Sequence, residues 1–257
     1  MTECKFEFKV KDKFDKFAYD KAKPLVEFVA KHIDFLPCLC DGLTRFCKYD
    51  SVNKNGRNGK NRFTYFLETY DFNNVECSGY LSEFEKNFRE AYDIKSKYPN
   101  ASEDDIQDKL GKVRGVILEL LIEDFVKVRY KQTRNNKEIK FSKGCIVVVN
   151  DKELVIDDRV TVDIAGWDGS KGEFYETKVG PQNFDEDVLK LLSHIKDELD
   201  LLNVQAIVGC VTMANRDKLL DNINEIKPNI TGYNDRIEVI GKRELINLIQ
   251  EPFSIYA

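Results

Sequence analysis

The stretch Thr161-Val-Asp163-Ile-Ala-Gly-Trp167-Asp168-Gly-Ser-Lys171-Gly-Glu173-Phe-Tyr-Glu176-Thr177-Lys178-Val179 decides the fold. Two β-rich runs flank Asp-Gly-Ser-Lys, a strong turn signal, and together they read as a hairpin. A turn centred on Gly169-Ser170 sets Asp163 directly opposite Glu176, with Cβ atoms about 4.5–5.5 Å apart. Side chains alternate along a strand, so Glu176 and Lys178 share one face. Two carboxylates this close repel each other unless a proton or a cation lies between them. An all-oxygen pair of this kind suits a hard divalent ion such as Mg²⁺. Asp168 reads as a turn residue. A slip of one residue would flip the face, and Asp157 or Asp158 would then stand in for Asp163. The plainer alternative is an exposed strand pair carrying a surface Glu176–Lys178 ion pair.

Beyond residue 144 the rhythm is that of an α/β unit. β-rich runs at 145–149, 154–167, 173–179, 204–212 and 236–240 alternate with helical runs at 185–202, 216–226 and 242–250. The Val204–Thr212 run is apolar enough for a strand covered on both faces. Before residue 100 the pattern is mainly helical. Ala22–Leu36 reads as a helix with Pro24 in its first turn and Pro37 as its stop. Ser82–Tyr98 has helical spacing, and Phe63–Tyr70 suits either strand or helix. A long helix starts after Ser102, with Asp105 as its capping-box partner, and runs to about Tyr130 with a bend at Gly111. The expected domains are therefore 1–100, mainly helical, and 101–257.

Apolar residues cover nearly every direction of that long helix, yet Glu119, Glu123 and Lys127 make one charged stripe along it. A carboxylate on a mostly buried helix needs a partner. An i,i+4 Glu–Lys pair at a solvent seam would satisfy that need. Gly115, beside the stripe, allows another backbone to come close.

Composition narrows the function classes. With 257 residues, 42% hydrophobic and 33% charged, the chain has the balance of a globular protein. It has no apolar run near the ~20 residues of a membrane span and no signal-peptide pattern at its start, so the expectation is a cytoplasmic protein with no membrane partner. The seven cysteines read as free thiols; Cys38, Cys40, Cys47 and Cys77 lack paired zinc-ligand spacing, and only His32 and His194 are present, so no zinc is expected. A net charge of −5 gives no overall pull on nucleic acid. Two local basic stretches could contact phosphates: Lys54, Arg57, Lys60 and Arg62 in an Asn/Gly-rich loop, and Lys127 to Lys143, which includes Lys131 and Arg134. Either could equally be a solvated surface.

The arrangement Gly115-x3-Glu119, Val162-Asp163 and Glu176-Thr177-Lys178, followed by helix, strand and helix to about Gln250, resembles the PD-(D/E)XK nuclease superfamily. Val162 stands where the family name has Pro. The resemblance implies a restriction-endonuclease-like mixed sheet flanked by helices. It implies an endonuclease that hydrolyses phosphodiester bonds in double-stranded DNA, of restriction or phage-defence type. A repair or junction-resolving nuclease and a catalytically inactive DNA-binding scaffold are the alternatives. By the same analogy Asp163, Glu176 and the Thr177 carbonyl hold Mg²⁺, for which Mn²⁺ can substitute, and Glu119 completes the shell. Lys178 acts on the attacking water, Gln182 and Glu123 support, residues 1–100 contribute to recognition, and the active species is a homodimer.

Overall fold

In the computed structural model of the chain, the described residues are 4–55, 61–72, 79–133, 140–156 and 159–250, with backbone alone for 128–133 and 247–250. They divide into two compact units, one formed by the N-terminus to Phe14 together with the chain from Ile122 onward, the other by Asp15–Leu121. The division thus differs from the expected boundary at residue 100. The N-terminal segment joins the chain from Ile122 onward through β1, Phe6–Val10, which pairs with a strand more than a hundred residues later, and the second boundary falls within a long helix.

Helices make up the Asp15–Leu121 unit. α1 spans Lys16–Lys31 and starts earlier than expected, because Asp15 caps it by accepting a hydrogen bond from the Ala18 amide (2.9 Å). Pro24 therefore lies inside α1, and Pro37 sits in the first turn of α2, Leu36–Arg45, where its missing N–H costs nothing. The ambiguous 63–70 run is helical: α3, Arg62–Glu68, capped by Asn61. α4, Leu81–Tyr92, follows. α5, Glu103–Thr133, begins with the expected capping box, the Asp105 amide donating to Ser102 Oγ (3.1 Å). Aromatic rings fill this unit, with Phe63 stacked on Phe88 (4.3 Å) and Phe88 on Tyr92 (4.7 Å).

Among the described residues the other unit holds one seven-stranded mixed sheet flanked by helices. β2 is Lys140–Val149, β3 Lys152–Leu154, β4 Val162–Trp167 and β5 Lys171–Lys178. α6, Glu186–Leu201, leads to β6, Gln205–Thr212; α7, Arg216–Ile226, leads to β7, Glu238–Ile240, and α8 spans Lys242–Gln250. The strand order is β1-β2-β4-β5-β6-β7, with β3 also on β2. Antiparallel pairing holds the front of the sheet, and β5, β6 and β7 run parallel behind it. The run expected at 154–167 is two strands, β3 and β4.

β2 turns a corner. Phe6 stacks on Trp167 at 4.0 Å and lies 6.2 Å from Phe174. Yet its backbone partner is Val149, while that of Trp167 is Lys140, at the other end of β2. The strand must curl to bring those rings together. The corner is Gly144, at φ +49°, whose carbonyl accepts the amides of both Lys11 and Asp12 (3.0 Å each). A Cβ at Gly144 would stand 2.5 Å from that of Asp12. Gly144→Ala is expected to lower the unfolding free energy by about 2–4 kcal/mol, from the left-handed backbone and the overlap with Asp12 together. Urea denaturation checks this, and an unchanged midpoint would refute the account of the corner.

Candidate functional site

Ile164 pairs with Tyr175 and Ala165 with Phe174, the register expected from a turn at Gly169-Ser170. Asp168 closes that turn, its carboxylate accepting from the amides of Ser170 (2.8 Å) and Lys171 (2.7 Å). One step past Ile164–Tyr175, the same register sets Asp163 opposite Glu176. Asp163 Oδ2 accepts from both the amide (2.8 Å) and the hydroxyl (3.0 Å) of Thr177, which fixes the carboxylate over the end of β5. Lys178 Nζ donates to Glu176 Oε1 at 2.6 Å and stands 3.5 Å from Asp163 Oδ2. The two acids and the amine thus form one cluster.

Glu176 is only 1% exposed, against 17% for Asp163 and 25% for Lys178. Its flanks on β6 and in the core are apolar: Cys210 is its neighbour across the β5–β6 ladder, and Phe174 lies two residues before it. A fourth member, which the sequence reading missed, is Arg159. Its Nη2 donates to Glu176 Oε1 in close contact. Ile156 and Arg159 exchange backbone hydrogen bonds (3.1 and 3.0 Å), which anchors the arginine's backbone. Only its position four residues before Asp163 could have flagged it. Among the described residues, Glu176 Oε2 and Arg159 Nε are both buried without a hydrogen-bond partner.

The stripe on α5 resolves differently. Glu123 is held by Lys127 of the same helix and by Lys143 of β2, whose Nζ lies 2.7 Å from Glu123 Oε2. Burial works to raise the Glu123 carboxyl, but the two lysines outweigh it and hold it below the ordinary range. The Lys127 ammonium also sits 4.8 Å over the Phe141 ring. Glu119 is partly buried one helical turn before Glu123, within the helical unit. Gln182 is exposed in a 3-10 turn before α6, Pro181–Asn183, that Asn222 pins by donating to the Pro181 and Phe184 carbonyls (3.1 and 3.0 Å). Lys54 and Arg62 are exposed at the two ends of a closed loop, where the Arg62 amide donates to the Lys54 carbonyl (2.9 Å). Arg57, Lys60 and Arg134, like Asp157, Asp158 and Cys77, lie outside the described residues, as does the side chain of Lys131.

No protein-family model matches the chain, and no curated protein matches it in sequence. Among solved structures it is similar to a protein described as VC1899 from Vibrio cholerae, at 15% identity and a TM-score of 0.38. That match covers 96% of this chain and 57% of the other. Among the described residues no three His, Cys, Asp or Glu side chains gather into a metal-holding group, and no helix is long and apolar enough to cross a membrane.

Burial first, and the Asp163 charge second, push Glu176 up to about 8, against the pull of Lys178 and Arg159. Burial works to lower Lys178, but Asp163 and Glu176 outweigh it and its net shift is upward. A carboxyl raised above its ordinary 4.5 stabilises the fold while protonated; that contribution is complete below pH 4.5 and is lost as pH climbs through 8. Between those values the wild-type unfolding free energy should therefore fall with pH more steeply than that of Glu176→Gln, by up to about 1.4 kcal/mol per pH unit. Denaturant titrations across the range check this; parallel curves would contradict it.

Proposed function

We propose that this chain is a metal-dependent endonuclease that hydrolyses phosphodiester bonds, with double-stranded DNA as substrate and restriction or phage defence as its setting. One observation carries the reading: the β4–β5 hairpin gathers Asp163, Glu176 and Lys178 at one end of the sheet, and a buried carboxylate oxygen there, Glu176 Oε2, has no partner. The donors fit a hard divalent cation such as Mg²⁺ or Mn²⁺, being carboxylate oxygens with no histidine or thiolate among them. Asp163 and Glu176 would hold it. Such a cation lowers the pKa of a bound water and screens the charge of a phosphodiester. Lys178, anchored on β5 and one-quarter exposed, can donate from Nζ to a water or to a non-bridging phosphate oxygen. Thr177 keeps Asp163 from swinging away from the cluster. Lys54 and Arg62 are exposed cations suited to phosphate contact.

A second reading has its own support. Arg159 and Lys178 together balance the two carboxylates, so the cluster can also be a purely structural ion network on a sheet without activity. The two readings separate on incubation with plasmid, linear and single-stranded DNA in Mg²⁺, Mn²⁺ or EDTA. Cleavage should require the divalent ion and fall about a hundredfold or more in Lys178→Ala and Glu176→Ala. Cleavage undiminished in both variants would remove the assignment. Mn²⁺ should also raise the melting temperature of the wild type and leave that of Asp163→Asn unchanged, because only a folded site binds the ion. An equal rise in the variant would place the ion elsewhere.

A further inference from the structure

Arg159 is the member of the cluster that the proposed chemistry does not use. It reaches Glu176 from a turn outside the strands, on a side chain 30% exposed, whereas Lys178 belongs to β5 itself. Both cations crowd onto Oε1 of Glu176, and Oε2 is left unpartnered in the interior. Among the described residues, the buried Nε of Arg159 also has no hydrogen-bond partner. Arginine normally meets a carboxylate through a paired fork of donors, and this one does not. Its fit is that of a counter-charge resting on the acid.

We propose that Arg159 is a built-in competitor for the cation site: its guanidinium neutralises Glu176 while no metal is bound, and must withdraw for a divalent ion to load. The inference rests on the reading of Asp163 and Glu176 as metal ligands and adds a control to it. A guanidinium and a divalent ion on one carboxylate repel at close range in a poorly screened interior, so the two states exclude each other. Arg159 lies outside the strands, so its side chain can leave Glu176 without breaking a strand pairing. The buried acid is then never left without a positive partner.

Mg²⁺ titrated calorimetrically into the full chain tests the competition. Arg159→Gln should bind Mg²⁺ roughly tenfold tighter than wild type or more, and Arg159→Lys, which keeps a charge, should bind like wild type. Asp163→Asn should not bind. The thermal readout is independent: without metal Arg159→Gln should melt below wild type, and saturating Mg²⁺ should raise its melting temperature by more. If wild type binds and Arg159→Gln binds equally or more weakly, Arg159 is not a competitor and the metal site still stands. If neither wild type nor Arg159→Gln binds, the metal site itself fails and the competitor with it.

Discussion

A carboxylate removed from water must be neutralised, and Glu176 is the point at which this sheet meets that demand. Desolvating one such ion costs several kcal/mol, far more than a surface ion pair returns. The compensation comes from Arg159 just before β4, from Lys178 of β5, and from a proton that burial favours on Glu176. Ordinary packing would have put a leucine there. The polar cluster sits in a sheet whose interior also holds apolar Phe174, Val208 and Val211. Perturbed ionisable groups of this kind concentrate at functional sites, which is why the hairpin and not the helical unit anchors the functional reading.

The neighbouring acids show how differently one residue type can be used. Asp168 spends its carboxylate on two turn amides, and Asp163 spends one oxygen on the amide and hydroxyl of Thr177. Glu173, buried on the opposite face of β5, takes the Tyr175 hydroxyl at 2.9 Å. Glu123 is clamped between lysines from two elements. Each of these acids is met by at least one donor or cation. Among the described residues, Glu176 Oε2 has no hydrogen-bond partner, while Lys143 reaches Glu123 Oε2.

Much of this was legible in the residues themselves. The Asp-Gly-Ser-Lys turn fixes the hairpin register because turn chemistry and the period of two act over a dozen residues. The helices α6, α7 and α8 follow their apolar spacing and their caps, and Asp185 and Asn215 cap where expected from such residues. What escaped was non-local. Lys5-Phe-Glu-Phe-Lys-Val10 does alternate, but a lone strand of five residues declares no partner until β2 is known. Arg159 sits in an irregular segment where no periodicity aims a side chain. Pro24 misled because a proline usually marks a helix's first turn, whereas α1 starts at Lys16, nearly two turns before the expected Ala22, where Asp15 supplies the cap.

β1 has a consequence for how the chain acquires its structure. The hydrogen bond from the Lys5 amide to Asn150 closes a loop of 145 residues, and the whole helical segment lies inside that loop. Emerging from the ribosome, the first strand has nothing to pair with until β2 has been made, long after α1 to α4 have been completed. Closing so large a loop costs entropy before any contact repays it, so sheet assembly should be the slow step of folding. In the interval, Phe6 and Phe8 are unprotected apolar groups on a naked strand edge, a natural ligand for chaperones during synthesis.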